Sequence, residues 1–471
     1  MQRLAYDLVV VGAGSGGFAA ARTAHDLGAK VALVDRGPLG GLCILRGCMP
    51  SKAFLASSDA RHAILAAKNL GITAGLPSAD MRYIQRRKKS LVHEFASYRI
   101  EGIHRFPLHE GSAVFQSRSE LAVGDDLLIT APSFIIATGS EVAPPFLPGL
   151  LETGYLDSDS VLELETIPHS VAVLGGGYTA CELGQFLARM GSKTTFLIRS
   201  NHLLTEVDDD LGETLTGYFR EEGIDVVTHA KILRVQRRGS KKVVTYAIGS
   251  DERELVVDEI FNALGRRPNV ANLGLEQAGV DCDENNGIKV DASLRTSNPS
   301  IFAVGDVTGE YLLVHVAIYQ GEIAARNALR AGDERADYSL VAAHTVFCEP
   351  QLGIVGATEK QLQRDGMPYV RGVYEFKEHG KAMCLGRTQG FVKLMASPHD
   401  GRILGAAVLG PDGSELIHEM IVAMNFGCTV DQFMRIPHLH PTLAEIWTYP
   451  AEECAEKCSA VRSAEMSTVA G

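Results

Sequence analysis

The sequence predicts an α/β protein carrying two Rossmann-like dinucleotide-binding domains, and two observations lead there. Gly12-Ala13-Gly14-Ser15-Gly16-Gly17 aligns with Gly175-Gly176-Gly177-Tyr178-Thr179-Ala180, and the two stretches stay in register without a gap as far as Arg36 and Arg199. Each copy reads as a short apolar strand, a tight glycine turn, a helix and a second strand. A single glycine fingerprint is a weak signal, whereas two of them, each between a strand and a helix, are a strong one.

Leu8 to Val11 and Val171 to Leu174 are short buried strands, and Phe18 to Leu27 and Cys181 to Met190 read as helices ended by Gly28 and Gly191. Gly12, Gly14 and Gly17 in the first copy, and Gly175 and Gly177 in the second, let the backbone approach a pyrophosphate whose charge the helix N-terminus meets. The second strand of the first copy ends in Asp35, a carboxylate placed to accept hydrogen bonds from an adenosine ribose, which suits FAD. In the second copy Ile198 stands where Asp35 does, followed by Arg199. Loss of the carboxylate removes repulsion toward a 2′-phosphate and a guanidinium can grip one, so NADP(H) is expected over NAD(H). Arg36 also follows Asp35, so the change from acid to isoleucine is the informative one.

Shortly after the first fingerprint comes Gly40-Gly41-Leu42-Cys43-Ile44-Leu45-Arg46-Gly47-Cys48-Met49-Pro50-Ser51-Lys52. Pro50 suits the first turn of a helix, where its missing N–H costs nothing, so Cys48 is expected at a helix N-terminus that stabilises its thiolate. Positions five apart on a regular helix point in different directions, so a Cys43 to Cys48 bridge calls for a non-helical loop, which Gly40, Gly41 and Gly47 make plausible. Two reduced core cysteines are the alternative. The fingerprint upstream and Pro-Ser-Lys downstream favour a redox pair served by a flavin.

A chain of 471 residues with 46% hydrophobic content is expected to form about three domains. The net charge of −12 argues against nucleic-acid and membrane-surface partners, and the basic run Gln85 to Lys89 is expected to be a solvated helix face. No apolar stretch is long enough to span a bilayer, and the first strand begins too early for a signal peptide, so a cytoplasmic location is expected. Nine cysteines, an odd number in so long a chain, suit a reducing compartment better than a disulfide scaffold. His438 and His440 lack companion ligands at matching spacing, so no metal site is expected.

Together with Ala137-Thr138-Gly139, Val304-Gly305-Asp306 and His440-Pro441-Thr442-Leu443-Ala444-Glu445, these features make the chain resemble the class I pyridine nucleotide-disulfide oxidoreductases. That family includes dihydrolipoamide dehydrogenase, glutathione reductase and mercuric reductase. The likeness runs from Asp7 to about Pro450, with the motifs in the family's order. It implies an FAD domain over residues 1–150 and 270–335, an NAD(P) domain over 151–269, and an α+β dimerisation domain over 336–460, with 461–471 a loose tail. It also implies a homodimer that moves electrons from a nicotinamide through FAD to the Cys43–Cys48 bridge and on to a small-molecule or protein-bound disulfide. A flavin-bound redox sensor or assembly component with little turnover is the other class.

The resemblance further implies roles for single residues. Cys48 is the flavin-proximal thiol and Cys43 the interchange thiol. Lys52 lies beside flavin N5 with Glu182 as its ion-pair partner. Thr138, Gly139, Gly305 and Asp306 belong to the FAD site, Asp306 at the ribityl and phosphate region. Tyr178 is an aromatic gate over the flavin, and Arg266 contacts the nicotinamide nucleotide. His440, oriented by Glu445, is an acid–base catalyst reaching across the dimer interface, a task that suits a histidine held by a carboxylate. Leu42 and Ile44-Leu45-Arg46 depart from the common family residues, which bears on the substrate. The vicinal cysteine pair of mercuric reductases is absent. Cys454 and Cys458, too far apart for an unstrained bridge if helical, are expected on a surface or interface helix.

Overall fold

Leu8–Val11 is an unbroken apolar run with no residue more than 3% exposed, the pattern of a strand covered on both faces. In the computed structural model, which describes residues 2–330 and 332–469, it forms the middle of a five-stranded parallel sheet. The order is Ile301–Ala303, Ser133–Ile136, Leu8–Val11, Val31–Asp35, Leu108–Glu110. The helices Ser15–Asp26 and Val314–Arg330 lie against each other closely, because a side chain at Gly321 would collide with the Gly16 carbonyl oxygen. The first of these helices begins three residues before the expected Phe18, since Gly14 in extended backbone caps a turn whose Ser-Gly-Gly sequence carries little helical propensity of its own.

This sheet belongs to one compact unit, Met1–Ala53, Tyr83–Pro144 and Gly265–Val341. The unit is discontinuous, and the chain leaves and re-enters it through two short strands, Ser140–Val142 and Arg266–Pro268, that pair antiparallel. On Met81–Ile103 the basic run proves not to be one solvated face. Gln85 and Lys88 are each only 3% exposed, because helical periodicity turns them inward with Met81 and leaves Arg86, Arg87 and Lys89 outside.

The other unit comprises Phe54–Arg82, Pro145–Leu264 and Ala342–Gly471. Here the second fingerprint follows Ser170–Leu174, in a parallel sheet ordered Asp225–Val227, Lys193–Leu197, Ser170–Leu174, Glu259–Asn262. The hairpin-linked strands Lys231–Arg238, Lys241–Ile248 and Asp251–Val257 are inserted in the chain between that sheet's strands Asp225–Val227 and Glu259–Asn262. The C-terminal part is a five-stranded antiparallel sheet ordered His344–Val346, Gln351–Gly356, Ile403–Gly410, Phe391–Ala396, Val370–Glu375. Lys393, fully buried on this sheet, places its ammonium 2.8 Å from both Asp208 and Asp210 and 3.3 Å from Glu359. Burial works against a charged Asp208, but Lys393 and two backbone N–H groups outweigh it and hold the carboxyl below its usual range.

Two expectations about the C-terminus are corrected. Residues 461–469 are not loose but continue the helix Thr448–Val469, and 470–471 lie outside the described residues. Cys454 and Cys458 share a helix face, as their spacing requires, yet that face is fully buried against the protein's own sheet. Their thiols lie 3.5 Å from the Leu394 carbonyl and 3.4 Å from the Ser397 carbonyl, so packing accounts for both.

Candidate active site

Cys43 lies in a five-residue helix, Leu42–Arg46, rather than in the loop expected, and Cys48 opens the helix Cys48–Ala66. Gly47 makes the two compatible by breaking the chain at φ −128°, ψ −112°. A Cβ there would meet the Leu42 carbonyl oxygen at 3.1 Å and Cys43 Cα at 3.2 Å, so glycine is what lets the second helix fold back onto the first. The thiols hydrogen-bond to each other, and Cys43 is pushed well above the usual thiol range, first by that bond, then by burial and the charge of Cys48, with Lys52 pulling the other way. Cys43 is therefore the thiol that holds its proton, while a helix N-terminus favours a thiolate at the position of Cys48. Lys52 stands one turn further along the same helix.

The cysteine segment rests on the fingerprint. A Cβ at Gly41 would lie 2.9 Å from Gly14 Cα, and both segments line one cleft of about 550 Å³. Gly12, at φ +104°, could carry no side chain because one would strike the Ala137 carbonyl. Gly14 differs, since a Cβ there meets nothing nearer than 4.0 Å and its smallness keeps open the space at the helix N-terminus. Asp35 accepts from the N–H groups of Ala13 and Gly37, at 2.7 Å each, so the carboxylate is fixed at the cleft edge with lone pairs to spare.

Further along the cleft, the Thr138 hydroxyl donates to the Asn269 carbonyl at 2.7 Å while the Asn269 amide donates to the Thr138 carbonyl at 3.0 Å, a clasp that fixes Gly139. Gly305 donates its N–H to the Gln320 side chain and starts the turn that presents Asp306. Burial raises the Asp306 carboxyl above its usual range, against the opposing pull of the Ser140 hydroxyl at 2.6 Å and of Arg266. Arg266 donates to the Ser140 hydroxyl and carbonyl, both at 3.0 Å, which ties it into the first unit's network. An uncrowded glycine at a helix start, a fixed carboxylate at a strand end and a buried acid in one cleft fit FAD.

In the second unit Gly175, at φ +112°, passes the Ala263 carbonyl, and Gly177 caps the helix Tyr178–Arg189. Ile198 is buried beneath this turn, where a Cβ on Gly176 would meet its methyl at 2.9 Å, and Arg199 is exposed beside it. The Tyr178 hydroxyl lies 3.1 Å from His344 Nε2, with the rings stacked at 5.5 Å, and burial pushes the phenol up to about 12. Glu182 is buried and accepts the Phe347 N–H at 3.1 Å.

His440 is largely exposed, and Glu445 holds its Nδ1 at 2.9 Å, which leaves Nε2 facing outward. His438 is occupied separately by Glu419 at 2.6 Å. No cluster of metal-ligating side chains occurs among the described residues.

Residues 6–321 match the pyridine nucleotide-disulphide oxidoreductase model, and residues 342–451 match that family's dimerisation domain. The chain belongs to this family. It is 35% identical to a dihydrolipoyl dehydrogenase of Geobacillus stearothermophilus over 95% of each chain, and 35% identical to a mercuric reductase of Streptomyces lividans over 93% of this chain and 94% of the other. Among solved structures it resembles the HOCl-induced flavoprotein disulfide reductase RclA of Escherichia coli, with a TM-score of 0.84 and 26% identity over 95% of this chain and 99% of that one.

As a pyridine nucleotide-disulphide oxidoreductase, the protein is an FAD-dependent enzyme acting on sulfur groups, with a dimerisation domain that equips it to form a homodimer. No helix among the described residues is long and apolar enough to cross a membrane. The family's motifs did not point to Ser140, Asn269 or His344, because these act through partners more than a hundred residues away in sequence.

Proposed function

We propose that this enzyme takes electrons from NADPH in preference to NADH and delivers them through FAD and the Cys43–Cys48 pair to an external disulfide, low-molecular-weight or protein-bound. The observation that carries this reading is the cysteine pair itself: two thiols hydrogen-bonded to each other, one of them at a helix start, line a cleft built for a dinucleotide. When bound, the flavin supplies the relay between a two-electron hydride donor and a dithiol.

The chain's own residues do the rest. Two electrons arriving at the bridge break the Cys43–Cys48 bond, with Cys48 keeping the negative charge beside the cofactor. Cys43 passes its proton to His440 and attacks one sulfur of the external disulfide, expelling the other as a thiolate. His440, turned by Glu445, gives that proton to the departing thiolate, and the Cys48 thiolate then attacks the Cys43 sulfur, restoring the bridge and expelling the second sulfur as a thiolate that takes its proton from solvent. We assign His440 to the active site of the partner subunit, Lys52 and Glu182 to the nicotinamide end, Tyr178 to the gate, and residues 1–150 with 270–335, 151–269 and 336–460 to the three domains. Exposed Arg199 beside buried Ile198 supports NADP(H), and a cytoplasmic setting suits a reducing enzyme of this kind.

The test is anaerobic. The protein is mixed with NADPH or NADH, the flavin absorbance and the long-wavelength thiolate band are followed, and lipoamide or oxidised glutathione is then added. Faster reduction by NADPH and reoxidation by a disulfide are expected. Faster reduction by NADH would overturn the coenzyme assignment, and a reduced protein that no disulfide reoxidises would point to a redox sensor.

A further inference from the structure

Behind the acid–base pair lies a second histidine that the mechanism does not use. His379 sits between the short helical turn Phe376–Glu378 and the helix Gly380–Leu385, with its side chain fully buried. Neither ring nitrogen has a hydrogen-bond partner among the described residues. Buried polar atoms are ordinarily satisfied, and an apolar side chain of similar size would fill the same space without stranding two nitrogens. The carboxylate of Glu445 lies close by, its Oε1 3.6 Å from His379 Nε2 and 3.2 Å from His440 Nδ1. One carboxylate oxygen thus stands between two imidazoles.

We propose that His379 is a positioning residue for the acid–base pair, a buried neutral imidazole whose N–H restrains Glu445 Oε1 so that the carboxylate keeps His440 in its working orientation. The groups that face it are Glu445, His440 and Tyr449, whose ring meets it edge-on at 6.2 Å. Burial lowers its basicity, Glu445 acts in the opposite sense, and His440 adds to the lowering, so the ring stays uncharged while His440 cycles. A shift of a few tenths of an ångström brings Nε2 within hydrogen-bond range of Oε1. The carboxylate is then steadied from behind at the moment its charge is needed in front. Removing the donor leaves Glu445 free to turn and its charge less compensated, which raises the proton affinity of His440.

The inference rests on His440 being the proton donor in disulfide turnover, and one set of variants of the holoenzyme separates the two claims. His379→Phe is expected to slow turnover with a lipoamide or glutathione disulfide about three- to tenfold and to move the pH profile up by about half a unit, while flavin reduction by NADPH stays unchanged. His379→Gln, which keeps an N–H donor, should stay within about twofold of the parent with an unmoved profile. In a Glu445→Gln background, His379→Phe should have no further effect, since it acts through that carboxylate. His379→Leu replaces His379→Phe if the latter does not accumulate as holoenzyme. A parent-like profile in the apolar variant, equal slowing of both half-reactions, or additive losses in the double variant would overturn the inference. If His440→Gln itself turns over disulfides at the parental rate, the acid–base reading fails instead.

Discussion

Asp35 and Ile198 each follow an equivalent paired position, Val34 opposite Val11 and Leu197 opposite Leu174, so two strands of one design end in opposite chemistry. Asp35 is locked by two backbone N–H groups, whereas Ile198 fills the space under its own glycine turn. Ile198→Glu is therefore expected to lower kcat/KM for NADPH at least about tenfold, by restoring repulsion toward a 2′-phosphate, and to raise that for NADH. Steady-state kinetics with both coenzymes check this, and an unchanged ratio would mean that this position does not read the ribose.

The two glycines of the first fingerprint should respond differently. Gly14→Ala meets no protein atom closer than 4.0 Å, so the chain should fold with parental circular dichroism yet bind FAD at least about tenfold more weakly. Gly12→Ala should fail to give folded protein, because its Cβ would strike the Ala137 carbonyl. Flavin content per chain after purification measures both, and full FAD occupancy in Gly14→Ala would count against the cradle.

Single serine variants should split the roles of the redox pair. Cys43→Ser frees Cys48 from its partner and should show the long-wavelength thiolate band before any reductant is added, while Cys48→Ser shows none. Both should lose disulfide turnover. Cys454→Ser with Cys458→Ser should keep turnover, since both thiols are buried against backbone carbonyls.

Lys393 gives a pH-dependent test of stability. Lys393→Met leaves buried carboxylates without their cation and should cost about 3–5 kcal/mol at neutral pH, read from denaturant unfolding of the holoenzyme. Asp208 and Glu359 are depressed in the fold, so their contribution is present above the ordinary carboxylate range and is lost as pH falls through the depressed values. The gap between parent and variant should therefore narrow in acid. A gap that widens would contradict the network.

Local pattern went far along this chain. The strands at Leu8 and Val171, the glycine turns and the acid-to-isoleucine change were all readable, because backbone approach and strand burial each demand particular residue types within a few positions. The break between Cys43 and Cys48 was only half legible. Gly47 announced a departure from regular helix, but that Leu42–Arg46 would itself be helical depends on what it packs against. The contact of Arg266 with Ser140 was not legible, because Ser140 lies more than a hundred residues earlier, on the strand that pairs with its own.

The amino-acid order alone determined the two nucleotide folds, the closeness of Cys43 to Cys48 and the pairing of His440 with Glu445, since each is written in short spacings with a direct steric or electrostatic cause. Only the tertiary structure decided which face of the C-terminal helix is buried, which carboxylates surround Lys393, and that a buried imidazole sits behind Glu445. These outcomes depend on side chains brought together from distant segments, and burial and charge pairing are properties of that assembly.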